Sequence, residues 1–142
     1  MKINKLRLQN KTKYLIISSE NYKDEDSFLD DIAKKLNNGL EILILNEKHF
    51  STKKVIKIAK KIRELCSIYN VIFIICDRLD IVQITEADGI HLFEESVNIE
   101  IARDFLGENK IIGKTMTNKE EVISATNNGF DYIIYNSEFK AI

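Results

Sequence analysis

The chain has 142 residues, which is enough for one domain, and its 44% apolar and 30% charged residues are ordinary for a globular protein. A formal net charge of -1 produces no strong field, so we expect neither nucleic acid nor a membrane as a partner. No apolar run approaches transmembrane length, and no signal-peptide core follows the basic start. With two cysteines in apolar patterns, Cys66 and Cys76, we expect a cytoplasmic protein with reduced thiols.

The stretch before the first predicted strand is basic, and no acidic residue occurs in it before Glu20. We expect a solvated lead-in to the first strand, with a phosphate-binding arm as the alternative. Its cations are Lys2, Lys5, Arg7, Lys11 and Lys13.

Short apolar runs alternate along the chain with segments of helical periodicity. The runs predict six strands: Tyr14–Ile17, Ile42–Leu45, Val71–Ile75, Ile90–Leu92, Lys110–Gly113 and Tyr132–Tyr135. The periodic segments predict helices capped by Asp26 or Ser27, by Ser51 and by Asn118, a short helical turn over 80–85, and a helix through 101–106.

A ten-residue internal repeat supports this division of the chain into strands and helices. Residues 37–46, NNGLEILILN, match residues 127–136, NNGFDYIIYN, in every class of residue. In both copies we expect the glycine to end a helix in the left-handed conformation and an acid to precede the strand. Two copies of one junction indicate a repetitive α/β architecture.

Alternating strands and helices favour a parallel sheet covered by helices. The short period of the units predicts a parallel-stranded (β/α) barrel of the TIM type, shortened to about six βα units. A flavodoxin-like open sheet is the alternative, because the local patterns of the two folds are nearly identical. In either fold the strand ends share one face, and the polar residues there are Asn46, Asp77, His91, Lys114 and Asn136.

These residue types suit an anion or a hard cation. Asp77 suits Mg²⁺, with Glu94 or Glu95 as a second carboxylate, and Lys48 would meet a phosphate as a point charge. The plain alternative is that Asp77 and Arg78 only start the next helix. We interpret His91, in its apolar context, as a hydrogen-bonded structural histidine.

Five segments, in this order and spacing, resemble the thiamine-phosphate synthase and TenI superfamily. They are LNEK (45–48), ICDR (75–78), EADGIHL (86–92), IGKT (112–115) and GFDYI (129–133), of which the ADGIH piece is the most specific. The resemblance covers nearly the whole chain. It implies a (β/α)₈-type fold and a Mg²⁺-assisted transferase reaction of thiamine biosynthesis. That reaction couples hydroxymethylpyrimidine pyrophosphate to thiazole phosphate.

The resemblance also implies which residues form the site. Asp77 takes a metal-ligand position, with Glu94 and Glu95 beside it as candidates to replace a second carboxylate. The ligand is expected to be a phosphorylated pyrimidine or thiazole. The residues expected to bind it are Asn46, Lys48, Lys114, Thr115 and Asn136.

Several positions depart from the family pattern. Where the family has Gln-x-Arg-x-Lys, this chain has Ile44, Asn46 and Lys48, so only the lysine is kept. Cys76 replaces an asparagine. The family's Gly-Gln-x-Asp is replaced by residues 93–96, FEES, and its Gly-Pro-x-Phe-Pro-Thr loop by residues 136–141, NSEFKA. We therefore expect weak or lost synthase activity, and Mg²⁺ only where the metal position still works.

From the chain length we expect a single domain over residues 1–142. The resemblance implies that this domain lacks the last two βα units of the family. A non-catalytic protein that binds a phosphorylated ligand or associates with itself is the alternative function. A homodimer would cover the open edges of a six-stranded sheet. A further alternative is that the sequence is a fragment of a longer protein.

Overall fold

The computed structural model describes residues 3–48 and 50–142, so Lys2 of the basic arm lies outside the described residues. Seven strands form one sheet in the order β1-β2-β3-β4-β5-β6-β7. They are β1 (Tyr14–Ile17), β2 (Ile42–Leu45), β3 (Ile72–Cys76), β4 (Gly89–Leu92), β5 (Ile111–Thr115), β6 (Tyr132–Tyr135) and β7 (Glu138–Ala141). The first six are parallel, and β7 returns antiparallel to β6.

The sequential strand order decides between the two predicted folds. A flavodoxin-like sheet would place β1 beside β3, whereas here Tyr14 pairs with Ile42 of β2, and Ile42 with Ile72 of β3. The sheet also curls, since the rings of Tyr14 on β1 and Phe139 on β7 lie 6.0 Å apart between centroids. The prediction of a TIM-barrel-like parallel fold is confirmed.

The helices are α1 (Ile3–Leu8), α2 (Glu25–Asn37), α3 (Thr52–Tyr69), α4 (Leu79–Thr85), α5 (Ile99–Leu106) and α6 (Lys119–Ser124). Ser51 and Asn118 cap α3 and α6 as predicted. The cap of α2 is Asp24 rather than Asp26 or Ser27, because the Asp24 carboxylate accepts the Ser27 N–H at 2.8 Å.

Side chains alternate between two apolar layers, as the pleat of a strand requires. One layer packs against the helices and includes Phe73, Ile90 and Ile112. The other fills the concave face and includes Ile74 and Tyr132. Both cysteines are free and buried, as predicted.

Gly113 shows how tightly the concave layer is filled. A Cβ atom at this position would lie 2.0 Å from the ring of Tyr132. The ring of Tyr132, the largest fully buried side chain among the described residues, therefore occupies space that only glycine leaves open.

The basic N-terminal stretch is not a solvated lead-in. Residues 3–8 form α1, in which Leu8 is fully buried and Asn4 is nearly so. The Asn4 amide donates to the carbonyl of Lys110 at 3.0 Å and to the carboxylate of Asp131 at 3.3 Å. Burial of Leu8 and these bonds hold α1 against the amino-terminal end of the sheet.

An acid before every second strand joins neighbouring strands at that end. Glu41 accepts the N–H groups of residues 12 and 13 before β1, both at 3.0 Å. Asp88 accepts the N–H of Phe73 on β3 at 2.8 Å, and Asp131 accepts that of Ile112 on β5 at 2.9 Å. Glu41 and Asp131, the acids of the internal repeat, thus have the same structural role, since each accepts backbone N–H groups at the neighbouring strand.

The described residues include no helix that is long and apolar enough to cross a membrane.

The β6–β7 hairpin was not predicted. Asn136 and Ser137 both have positive φ, 52° and 63°, as a two-residue type I′ turn requires. Phe139 then enters the concave layer and stacks on Tyr132 with 4.7 Å between centroids. The tyrosine hydroxyl of Tyr14 donates to the Ser137 carbonyl at 2.9 Å, so the hairpin reaches across toward β1.

Candidate functional site

A cavity of about 630 Å³ opens at the carboxyl ends of β2, β3 and β4. Four of the residues predicted for the site line it together: Lys48, Asp77, Glu94 and Glu95. Phe93 and Ser96 complete the lining. In parallel α/β folds this end of the sheet is where ligands bind, so position and composition agree.

Asp77 is held in place by the backbone and by one serine. Its φ is 62°, a left-handed conformation that aspartate tolerates better than most residues. Its N–H donates to the carbonyl of His91 at 3.1 Å, which continues the pairing of β3 with β4. The hydroxyl of Ser96 donates to the Asp77 carboxylate and also accepts the N–H of Phe93, at 2.8 Å. The loop after β4 is thereby closed onto the end of β3.

Lys48 reaches into the same cavity over an aromatic ring. Its ammonium lies 5.7 Å from the centroid of the Phe93 ring, a distance at which a cation is attracted by the ring face. Phe93 in turn meets His91 edge to face, with 5.0 Å between centroids. Phe93 therefore links the cationic side chain to the buried interior.

His91 is the structural histidine that the sequence predicted. It is fully buried, and its two ring nitrogens lie 2.7 Å from the hydroxyls of Tyr132 and Thr115. Burial lowers the pKa of His91 from 6.5 to about 4, so the ring is neutral at pH 7. Both of its ring nitrogens are engaged by hydroxyl groups, so its role is to support the layer beneath Phe93.

The remaining predicted residues lie elsewhere. Asn46 lines an adjoining cavity of about 290 Å³ at the ends of β1 and β2, and Lys48 borders both cavities. Thr115 points into the concave interior, toward His91. Lys114 faces the helices and forms an ion pair with Glu121 at 3.0 Å. Asn136 is exposed in the turn of the hairpin.

Cys76 and Arg78, the two neighbours of Asp77 in the chain, do not line the cavity. Burial raises the pKa of the Cys76 thiol strongly, so this cysteine stays protonated and is a poor nucleophile. Arg78 precedes α4 and pairs with Asp80 at 2.8 Å, as expected for a residue that starts the next helix.

The donors present fit a magnesium ion only in part. Among the described residues, no three side chains of the His, Cys, Asp and Glu types lie close enough together to hold a metal ion. Asp77 supplies one carboxylate, and one of its oxygens already accepts the Ser96 hydroxyl. Since Mg²⁺ commonly takes one or two carboxylates plus substrate phosphates, this set fits only a metal that arrives with a phosphorylated ligand.

Phe93 and Ser96 were not predicted as site residues. Their signal is present in the sequence, since a serine three residues after Phe93 can accept its N–H and close a tight loop. The sequence gives no indication that the hydroxyl of Ser96 also donates to the Asp77 carboxylate.

Comparison with known proteins agrees with this geometry. The family model described as thiamine monophosphate synthase matches residues 13–141. A thiamine-phosphate synthase from Fusobacterium nucleatum is 41% identical over 121 residues, 85% of this chain and 59% of that protein. One from Dictyoglomus thermophilum is 40% identical over 117 residues, 82% of this chain and 52% of that protein. The chain thus spans between about half and three-fifths of the length of these curated relatives.

Two solved structures share the fold. Thiamine phosphate pyrophosphorylase from Pyrococcus furiosus superposes with a TM-score of 0.79 at 30% identity, over 92% of this chain and 61% of that one. A muconate cycloisomerase from Azorhizobium caulinodans reaches a TM-score of 0.59 at 8% identity, over 88% of this chain and 38% of that one, a likeness of fold alone. With the match over residues 13–141 and the sequential parallel sheet, the chain belongs to the thiamine monophosphate synthase family.

Proposed function

We propose that this protein binds a phosphorylated pyrimidine of thiamine biosynthesis in the cavity formed by Lys48, Asp77, Phe93, Glu94, Glu95 and Ser96. The single observation that carries the proposal is that Lys48 and Asp77, on different strands' ends, line the same cavity. The family membership and the names of the relatives, which are thiamine-phosphate synthases, supply the class of ligand.

Each of these side chains would bind a different part of the ligand. Lys48 provides a positive charge for a phosphate group, and it is exposed enough to reach a ligand in either cavity. Phe93 offers an apolar surface to a flat heterocycle. Asn46, in the adjoining cavity, would donate a neutral hydrogen bond where a larger ligand extends past Lys48.

Magnesium belongs to this proposal in a conditional form. Asp77, helped by Glu94 or Glu95, would hold the ion together with phosphate oxygens of the ligand. When bound, it would neutralise the negative charge that a departing pyrophosphate develops. With one carboxylate partly engaged by Ser96, we expect weak metal binding in the absence of ligand.

Catalysis is proposed to be weak or absent. The family's arginine between Ile44 and Lys48 is replaced by Asn46, and its second metal carboxylate by Ser96. Loss of a charged partner of the transition state commonly lowers the rate by about two orders of magnitude or more. Two such losses leave binding as the better-supported activity.

Calorimetric titration with hydroxymethylpyrimidine pyrophosphate, with and without Mg²⁺, tests the binding. We expect saturable binding that Lys48→Gln weakens about tenfold, the equivalent of one charge-assisted hydrogen bond. Lys60→Gln is the matched control, because Lys60 is an exposed lysine of α3 outside both cavities. No heat at millimolar ligand, or equal loss in both variants, would contradict the proposal.

Ser96→Asp tests the metal position. A second carboxylate beside Asp77 would replace the serine hydroxyl and supply another oxygen ligand. We expect Mg²⁺ to raise the affinity for the pyrimidine about tenfold more in this variant than in the wild type. An unchanged dependence on Mg²⁺ would show that the two positions do not share a metal.

Self-association is a second candidate, favoured by the edges of the sheet. In the described part of the chain, β1 is paired only with β2, and β7 only with β6. An unpaired strand edge can pair with a second copy. Light scattering over a range of concentrations would detect the dimer, and a monomer throughout would exclude it.

A further inference from the structure

A further polar cavity, of about 440 Å³, lies at the opposite, amino-terminal end of the sheet. It is bordered by α1, by the segment that follows α1 and by the last turns of α3. Its polar lining consists of Arg7, Lys11, Arg63, Ser67, Asn70 and Asp88. We refer to these residues as the basic cavity. None of them belongs to the site proposed above.

Positive charge exceeds negative charge in this lining. Three cationic side chains face one carboxylate, that of Asp88, which is 7% exposed. One carboxylate oxygen accepts from Arg7 at 2.6 Å, and the other accepts the N–H of Phe73 at 2.8 Å and lies 3.5 Å from Arg63. Asp88 is therefore occupied, and it cannot neutralise both guanidinium groups and Lys11.

The guanidinium groups remain open to a ligand. The side chains of Arg7 and Arg63 are 36% and 28% exposed, and each guanidinium carries five N–H donors. Lys11 forms no direct ion pair with any residue that the structure describes. Each of the three cations thus keeps hydrogen-bonding capacity for an anion.

A fourth cation lies behind the cavity. The Lys110 ammonium donates to the carbonyl of Ala87 at 2.7 Å. Burial lowers the pKa of Lys110; Asp88 opposes this shift, and the charges of Arg63 and Arg7 add to it. Lys110 is thus within electrostatic reach of the cations Arg63 and Arg7 and of the carboxylates Asp88 and Glu86, and a bound anion would stabilise the three cations.

We propose that the basic cavity binds a small phosphate or diphosphate anion. Arginine forks match the tetrahedral oxygens of phosphate through paired N–H donors, and the hydroxyl of Ser67 and the amide of Asn70 add neutral donors. Leu6, Val71 and Ile72 form the apolar part of the lining. The site does not depend on the proposed pyrimidine site, which lies at the other end of the strands.

The test uses inorganic pyrophosphate as the probe and backbone amide NMR as the readout. The ionic strength is kept constant with sodium chloride, and the titration is performed on Lys48→Gln protein to weaken binding at the other end. We expect saturable shifts at Ser67, Asn70 and Val71, while Phe93 and Ser96 stay unchanged. Shifts confined to Phe93 and Ser96, or shifts without saturation, would overturn the proposal.

Charge variants separate an anion site from a purely structural cluster. Lys11→Gln, which breaks no ion pair among the described residues, is expected to weaken pyrophosphate binding about fivefold, and Arg63→Gln about tenfold. Lys5→Gln is the matched control, because Lys5 is an exposed lysine of α1 that does not line the cavity. If Arg63→Gln lowers the melting temperature while all variants bind pyrophosphate equally, the arginines only attach α1 and α3 to the sheet and the proposal is wrong.

Discussion

The two ends of the sheet differ in how their charged groups are used. At the amino-terminal end, Asp88 and Asp131 are each 7% exposed and accept backbone N–H groups of neighbouring strands as well as arginine. At the carboxyl end, Lys48 and Asp77 are exposed beside an open cavity. Carboxylates of one end hold strands together, whereas those of the other end are available to a ligand.

This difference follows from the direction of parallel strands. A chain that enters β1 to β6 from the same end places its αβ junctions there, and its βα loops gather at the other end. Substitutions of the carboxylates at the two ends should therefore affect different properties, stability at the amino-terminal end and binding of the pyrimidine ligand at the carboxyl end.

Asp131→Asn tests the stabilising end and has the largest expected effect. The Asp131 carboxylate accepts the Ile112 N–H at 2.9 Å and pairs with Arg103 at 3.1 Å. Removing one member of a partly buried ion pair commonly costs about 3 kcal/mol, and we expect a loss of this size in urea unfolding. Asp77→Asn is the control at the other end, with an expected change within about 0.5 kcal/mol. Equal losses would remove the distinction between the two ends.

The pH dependence of stability tests the layer that supports the open end. Burial lowers the pKa of His91 from 6.5 to about 4. Between these pH values the unfolded chain is therefore protonated at His91, whereas the folded chain is not. The stabilisation is fully present above pH 6.5 and is lost as pH falls toward 4, by about 3 kcal/mol at most. Denaturant unfolding of wild type and His91→Gln between pH 7.5 and pH 4.5 isolates the contribution of His91 to the free energy of unfolding. Parallel curves would mean that His91 titrates normally.

Ser137→Gly tests the hairpin that faces the open end. Ser137 has a φ of 63°, which costs a residue with a Cβ about 1 kcal/mol relative to glycine. We expect the variant to unfold at higher urea concentration by a corresponding amount. Asn136→Gly is the comparison, with a smaller gain, because asparagine already tolerates this conformation. A destabilised Ser137→Gly protein would argue against the turn.

Lys114→Gln has the smallest expected effect and limits the extent of the ligand site. Lys114 pairs with Glu121 on the helix side of β5, where both side chains are partly exposed. Such pairs contribute about 1 kcal/mol or less. We expect no measurable change in affinity for the pyrimidine ligand, measured by calorimetry beside Lys48→Gln. A loss equal to that of Lys48→Gln would extend the site to this side of the sheet.

The order and type of the six parallel strands and of five helices could be predicted from the sequence. Apolar runs such as Ile42–Leu45 and caps such as Ser51 act locally, so their positions can be predicted from neighbours along the chain. The same holds for His91, whose apolar surroundings indicated a structural role before its partners were known.

Which of the residues at the strand ends meet depends on the packing of the whole sheet. Lys48 and Asp77 come together because β2 and β3 are neighbours, while Lys114, one residue out of phase with Thr115, turns toward the helices. The hairpin was missed because its turn, Asn-Ser, gives a weaker signal than Asn-Gly, and β7 has four residues. Helix α1 was missed for a related reason: its six residues gain most of their stability from contacts of Leu8 and Asn4 with distant parts of the chain.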